Sequence, residues 1–190
     1  MIAHHLPVLL ILAPLIGAIL AALSRNGFVA WFIALVASAL TAATSVALVL
    51  RVQAEGVISY RIGGWAPELG IEYRVDAVNA FIIVLVGVVA FATMIFARRS
   101  VLAEIIPERV AWFYTMMLLC VAGLLGMAVT GDAFNAFVFL EISSLSTYTL
   151  IALGRDRRAL VAAYQYLIVG TIGATFHVVG VGLIYLVTGT

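Results

Sequence analysis

The residue with the clearest chemical potential in this sequence is Glu141, a carboxylate near the middle of an apolar helix. If that helix begins at Asp132 and ends near Leu153, it is about 33 Å long, and Glu141 lies roughly 13 Å along it. This depth is close to the centre of a hydrocarbon layer that is about 30 Å thick. Because an ionisable group at that depth is costly, the default interpretation of Glu141 is functional, and the chemistry it suits is proton transfer.

The predicted surroundings of Glu141 suit proton transfer. A carboxyl group among aromatic side chains and away from water can gain and lose a proton near neutral pH. Ser144 and Tyr148 could hydrogen-bond this carboxyl group or hold water beside it. The alternative is a glutamate that only packs, bonded to a neighbouring helix. Helical spacing puts these residues on the face of Glu141: Phe134, Phe137, Val138, Ser144, Leu145 and Tyr148.

Three further residues are candidates for a proton path. His177, a few residues past the middle of the sixth apolar segment, can pass protons near neutral pH, although a neutral histidine bonded between helices is an equal alternative. Asp132 either caps the fifth helix or feeds the relay, and capping is the preferred interpretation. Gln165 lies on the helix of His177 but about 120° around it.

Composition sets the class of protein. The chain has 190 residues, of which 65% are hydrophobic and 10% charged, whereas soluble domains contain about 25% charged residues. The sequence therefore predicts an integral membrane protein, and a net charge of +1 argues against nucleic acid as a partner. No phosphate-binding loop, metal-ligand signature or nucleophile–base pair is present, so no cofactor, no metal and no on-chain reaction centre are expected.

The apolar runs predict an all-α membrane protein with one membrane domain, residues 1–190. Residues 51–75 form the one sizeable polar excursion, and alternating apolar residues there predict a small β-hairpin, residues 57–75, at the membrane surface between the second and third helices. Asp76 then fits as the N-cap of the third helix. The six predicted helices lie at about residues 2–23, 28–50, 77–97, 110–129, 132–153 and 159–187.

Arginine distribution predicts the orientation, since cytoplasmic loops are enriched in positive charge. With the N-terminus outside, three arginines fall in the outside loops, and the hairpin is extracytoplasmic. The inside loops then hold the other seven, which are Arg25, Arg98, Arg99, Arg109, Arg155, Arg157 and Arg158.

The segment 130–148, TGDAFNAFVFLEISSLSTY, resembles the fifth-helix motif of the antiporter-like subunit family. That family includes the D subunit of Mrp-type cation/proton antiporters and the proton-pumping subunits of complex I and of membrane-bound hydrogenases. Supporting resemblance comes from the Gly-Gly-Trp hairpin at 63–65, the segment VDAVNA at 75–80 and the segment YLVTGT at 185–190.

The resemblance implies that Glu141 is the family's essential glutamate, which pairs with a lysine on a seventh helix. This sequence ends at Thr190, before such a helix, and contains no lysine. Gln165 stands where the family often has a lysine near the start of helix six. The chain is therefore expected to be the N-terminal part of a longer subunit, or to rely on another polypeptide for the lysine-bearing helix.

The leading functional interpretation is a membrane subunit of a multisubunit monovalent cation (Na⁺)/proton antiporter in a bacterial or archaeal plasma membrane. Its partners would be other membrane subunits, protons, Na⁺ and lipid. One alternative is a proton-pumping subunit of a complex I-like NADH:quinone oxidoreductase or a membrane-bound hydrogenase, whose electron chemistry occurs on other subunits. Another is a scaffold that does not pump.

Overall fold

The computed structural model describes residues 2–65 and 70–189, and it confirms the predicted six helices and small hairpin. All six helices are long and apolar enough to cross a membrane. Residues 66–69, in the predicted hairpin turn, lie outside the described residues. The elements are α1 (Leu6–Leu23), α2 (Gly27–Glu55), β1 (Ile58–Arg61), β2 (Glu72–Val75), α3 (Ala77–Glu104), α4 (Val110–Val129), α5 (Ala133–Ala152) and α6 (Arg157–Thr188), with short 3₁₀ helices at Ile2–His5, Ile62–Gly64 and Pro107–Arg109.

Side chains that accept hydrogen bonds from free backbone N–H groups fix where several helices begin. The Asp76 carboxylate accepts from the N–H groups of Val78 and Asn79, both at 2.9 Å, which confirms its predicted role as the N-cap of α3. Asn26 and Asp156 cap α2 and α6 in the same way. Such caps satisfy donors that have no partner within the helix, so polar residues mark these boundaries in an apolar sequence.

Two helices extend beyond their predicted ends. Helix α2 continues to Glu55 instead of ending near residue 50, and α3 continues to Glu104 instead of ending near residue 97. Both helices continue through the charged residues that follow their apolar segments. Arginine and glutamate are good helix formers, and Arg51 pairs with Glu55 one turn later at 2.8 Å.

The hairpin packs onto the start of α5. Strands β1 and β2 are antiparallel, with Ile58 opposite Val75 and Tyr60 opposite Tyr73. The side chains of Ile58, Tyr73 and Val75 are buried. Tyr73 pairs with Thr130 in a further β-bridge, and the N–H of Gly131 donates to the Glu72 carbonyl at 2.9 Å. The extended chain just before α5 is therefore held by the hairpin.

Helix α5 is packed differently on its two sides. On one side α4 approaches closely, because Gly123 and Gly126 have no side chains to hold the helices apart. A Cβ atom at Gly123 would lie 2.6 Å from the Ser143 nitrogen and 2.7 Å from the Phe139 oxygen. On the other side lies α6, whose buried residues are Ala163 and Ala174.

Candidate functional site

Glu141 lies about 12 Å from the start of α5, close to the middle of that helix. Its side chain is half-buried. Among residues 2–65 and 70–189 it forms no hydrogen bond and no ion pair. The structure thus contains a carboxylate in the middle of an apolar helix without a fixed partner in the described chain.

Glu141 lies on the face of α5 that meets α6. The Phe137 ring stacks on His177, with centroids 6.2 Å apart and an interplanar angle of 13°. The Tyr148 ring meets Tyr166 edge-to-face at 4.9 Å. Since Glu141 comes one turn after Phe137 and two turns before Tyr148, it shares their face. The contact between these faces of α5 and α6 is called the α5–α6 seam below.

Two glycines of α6 near this seam have different surroundings. Gly170 is where the Tyr148 hydroxyl reaches α6, and a Cβ atom at that position would collide with it. The paired contacts run antiparallel, from Phe137 with His177 to Tyr148 with Tyr166, so the α6 residue level with Glu141 is Gly173. A Cβ atom at Gly173 would meet no atom within 4 Å. Gly173 is itself exposed, so the surface of α6 at this level is open to water or to another side chain.

The opposite face of α5, which meets α4, uses its polar groups for packing. The Cys120 sulfur lies 3.6 Å from the Ser143 hydroxyl and 3.5 Å from the Thr147 hydroxyl. Ser146 donates to the Ile142 carbonyl at 2.6 Å, and Thr147 donates to the Ser143 carbonyl at 2.8 Å. The contacts of Cys120 with the hydroxyl groups of Ser143 and Thr147 belong to the contact between α4 and α5, called the α4–α5 seam. Its hydroxyl groups are occupied by nearby protein atoms, in contrast to the carboxylate of Glu141.

Ser144 and Tyr148 lie on the face of Glu141, although their roles in a relay stay predictions. His177 lies over Phe137, about one turn from the level of Glu141, and it is exposed. Gln165 is exposed on α6.

Asp132 occupies the cap position at the start of α5. One carboxylate oxygen accepts from the Phe134 N–H at 3.2 Å and the other from the Asn135 N–H at 2.9 Å. Both oxygens are therefore committed to the helix start, in agreement with the preferred interpretation from sequence. Asp132 is also about 13 Å from the level of Glu141 along the helix.

Sequence reasoning missed a polar contact between the hairpin and α5. Buried Asn135 donates from its side-chain nitrogen to the Thr130 hydroxyl at 2.9 Å and lies beside the phenol of Tyr73. Burial raises the pKa of Tyr73 above its ordinary value of 10.0, while the neighbouring Asn135 opposes the shift. The signal in the sequence was the alternation that predicted the strand, but that alternation does not say which element the strand packs on.

Comparison with known proteins finds relatives among the membrane subunits of oxidoreductases and antiporters. Residues 130–190 match the family described as NADH:quinone oxidoreductase/Mrp antiporter, TM. The N subunit of NADH-quinone oxidoreductase from Desulforudis audaxviator (strain MP104C) is 42% identical over 189 residues, which is 98% of this chain and 37% of the relative. The D subunit of the Na(+)/H(+) antiporter from Bacillus subtilis (strain 168) is 30% identical over 188 residues, 98% of this chain and 38% of the relative.

Two solved structures share the fold over the whole chain. One is the membrane-bound sulfane sulfur reductase, an archaeal respiratory membrane complex, with a TM-score of 0.86 and 30% identity, covering 38% of the matched chain. The other is the Mrp complex from Dietzia sp. DQ12-45-1b, with a TM-score of 0.87 and 25% identity, covering 35% of the matched chain. The 190 residues thus span less than two-fifths of the length of each of these four proteins.

Proposed function

We propose a function from one premise: through residues 130–190 the chain belongs to the NADH:quinone oxidoreductase/Mrp antiporter transmembrane family, and it is an integral membrane protein. The chain acts as a membrane component of a multisubunit complex that moves protons, and Glu141 is its proton-transfer site. The observation that carries this proposal is the half-buried Glu141 carboxylate, in the middle of α5 and without a fixed partner among the described residues.

The surroundings of Glu141 support proton transfer over a packing role. A packing glutamate would be expected to bond a neighbouring helix, because an unpaired charge in an apolar medium is costly. Ser144 and Tyr148 lie on the same face, and the exposed surface of α6 at Gly173 is open to water. A carboxyl group that can meet water or a mobile cationic partner can exchange its proton. The partner in this proposal is the lysine that the resemblance implies, supplied by polypeptide beyond these 190 residues or by another subunit.

The first candidate complex is a monovalent cation (Na⁺)/proton antiporter. The fold match to the Mrp complex and the identity to the D subunit of the Bacillus subtilis antiporter support it. The other membrane subunits of such a complex would be its partners, with protons and Na⁺ as the transported ions. The membrane would be the bacterial or archaeal plasma membrane.

The second candidate is a redox-driven complex, in which the same chain pumps protons and electron transfer occurs elsewhere. Identity of 42% to the N subunit of NADH-quinone oxidoreductase, against 30% to the D subunit of the antiporter, favours this candidate. Redox cofactors in the purified complex, together with proton uptake that depends on an electron donor, would support it. Proton movement driven by a Na⁺ gradient in the absence of any electron donor would support the antiporter.

The end-to-end distribution of charge supports an orientation with the N-terminus outside. The Arg155 guanidinium donates to the Ile105 carbonyl at 3.1 Å, so two of the arginine-bearing connections meet at one end of the bundle. At the other end, His5 bonds the Tyr60 hydroxyl of the hairpin at 2.9 Å. The arginine-rich end is the cytoplasmic end in this proposal, by the positive-inside rule. Reporter fusions at residues 25 and 156 should both report the cytoplasm.

The decisive experiment is transport by vesicles that contain the whole complex with Glu141→Gln. Glutamine keeps the shape of the side chain but cannot carry a proton, so proton transport should fall to background while the complex still assembles. Glu108→Gln is the matched control, because Glu108 is an exposed glutamate in the connection between α3 and α4. Normal proton transport by Glu141→Gln would overturn the proposal and leave a scaffold that does not pump.

A further inference from the structure

A second feature of the molecule lies far from Glu141, at the end of the bundle where α2 and α4 begin. A cavity of about 240 Å³ is lined by residues of α2, α3 and α4. It is called the Arg98 cavity here. Its lining includes Asn26, Phe28, Arg98, Leu102, Val110 and Tyr114, and no carboxylate is among the lining residues.

Aromatic side chains hold the charged group of this cavity in place. The Arg98 guanidinium lies 4.8 Å from the ring centroid of Phe28 and 5.0 Å from that of Trp31. A cation–π contact of this kind uses no lone pair, so the N–H groups of the guanidinium stay available to an acceptor. Within the described ranges Arg98 forms no hydrogen bond or ion pair.

Two neutral donors line the same cavity. Tyr114 is 1% exposed, and its hydroxyl has no hydrogen-bond partner in the described part of the chain. A buried hydroxyl without a partner is uncommon, because losing water without a replacement costs stability. Asn26 uses its oxygen to accept from the Phe28 N–H at 2.9 Å, which leaves its NH₂ group as a donor. Three donors, one of them cationic, thus meet in a cavity without a carboxylate, and this set matches an anion rich in acceptor oxygens.

Apolar surface beside Arg98 indicates what kind of molecule carries that anion. A neighbouring cavity of about 700 Å³ shares Arg98 and Leu102 and is also lined by Trp31, Ile95 and Phe96. Ile95 and Phe96 are 48% and 77% exposed. Apolar side chains of a membrane-spanning helix face acyl chains, and tryptophan and arginine at its end lie at headgroup level. The anion and the acyl chains would therefore belong to one molecule.

We propose that the Arg98 cavity binds the phosphate group of an anionic phospholipid, whose acyl chains lie along the surface formed by Ile95 and Phe96. Arg98 neutralises the phosphate, and Tyr114 and Asn26 donate to its oxygens. The site is independent of Glu141 and of the complex to which the chain belongs.

The test is phosphatidylglycerol binding to the purified complex, measured by native mass spectrometry. Arg98→Gln should weaken binding roughly ten- to hundredfold, because it removes a charge-assisted contact. Tyr114→Phe removes one oxygen atom, preserves the ring and should weaken binding roughly three- to tenfold. Arg157→Gln is the matched control, since Arg157 is an exposed arginine at the start of α6 and does not line either cavity. Its binding should equal that of the parent complex.

Equal weakening by Arg98→Gln and Arg157→Gln would mean attraction to surface charge in general and would overturn the proposal. The unfolding temperature verifies the fold of Tyr114→Phe. If this variant binds phosphatidylglycerol as the parent does, the hydroxyl group does not contact the lipid, and the proposed geometry is overturned. Inorganic phosphate that displaces phosphatidylglycerol at equal concentration would show that the cavity recognises free phosphate, and it would overturn the lipid assignment. Selective weakening by Arg98→Gln and Tyr114→Phe alone would establish the lipid site.

Discussion

The two faces of α5 differ in whether their polar groups have partners. On the face toward α4, glycines allow close approach, and the hydroxyl groups of Ser146 and Thr147 bond backbone carbonyls. On the face toward α6, Glu141 has no fixed partner among the described residues, and Gly173 leaves open space. Helix α5 is thus fixed by its packing against α4, while the Glu141 carboxylate on its other side stays free to bind a partner. In the proposed function, this combination would keep the titrating group in place while its partner changes.

The largest expected difference in stability is between two glycine-to-alanine variants, one on α4 and one on α6. Gly123→Ala should destabilise the protein by about 1–3 kcal/mol, because its Cβ would meet backbone atoms of α5 that cannot move aside independently. Gly173→Ala makes the same change in open space and should alter stability by less than about 1 kcal/mol, in the stabilising direction.

Unfolding of the 190-residue chain in mixed micelles measures both variants under the same conditions. Equal destabilisation by the two alanines would contradict the distinction between a packed seam and an open one.

Adjacent serines on the two faces provide a more discriminating test with smaller effects. Ser144→Ala should lower proton transport roughly two- to tenfold, since it removes a hydroxyl group on the face of Glu141. Ser143→Ala removes the hydroxyl that contacts Cys120, so it should leave transport unchanged and lower stability by less than about 1 kcal/mol. Transport in vesicles and unfolding in micelles should separate the two variants. A loss of transport in Ser143→Ala equal to that in Ser144→Ala would mean that the proton path is not confined to the α6 face.

The weakest effect concerns the hairpin, which packs on the start of α5. Because burial raises the pKa of Tyr73 in the folded protein, the neutral phenol is favoured there. The stability that depends on the neutral phenol is present in full below pH 10.0, the ordinary pKa of tyrosine. It is lost as the pH rises through the raised pKa of Tyr73 in the folded protein. The free energy of unfolding should fall by at most about 1 kcal/mol by about pH 11.

The Tyr73→Phe variant isolates this contribution. Between about pH 9 and about pH 11, the free energy of unfolding should fall less in this variant than in the parent protein. Unfolding curves of both proteins at the two pH values measure this difference. Identical alkaline slopes in the two proteins would mean that Tyr73 is not buried at the hairpin contact.

Several parts of the fold could be predicted because their signals are local. Long apolar runs have to form helices in a membrane, since every backbone polar group needs a partner within its own segment. The alternating residues of the hairpin and the capping carboxylate of Asp76 are equally local, and the structure confirms both. The ends of α2 and α3 were less predictable, because charged residues that are good helix formers carry no local stop signal.

The amino-acid sequence was sufficient to place Glu141 deep in an apolar helix, since helix length and residue position fix its depth. Which neighbour each face of α5 meets became clear only from the packing of the helices. Contacts between α5 and α6 join residues far apart in the chain, such as Phe137 with His177, and separate His177 from the level of Glu141 by about one turn. The same holds for the donors of the Arg98 cavity, whose lining comes from three helices. Periodicity records where a side chain points on its own helix, whereas the partner depends on how the helices pack.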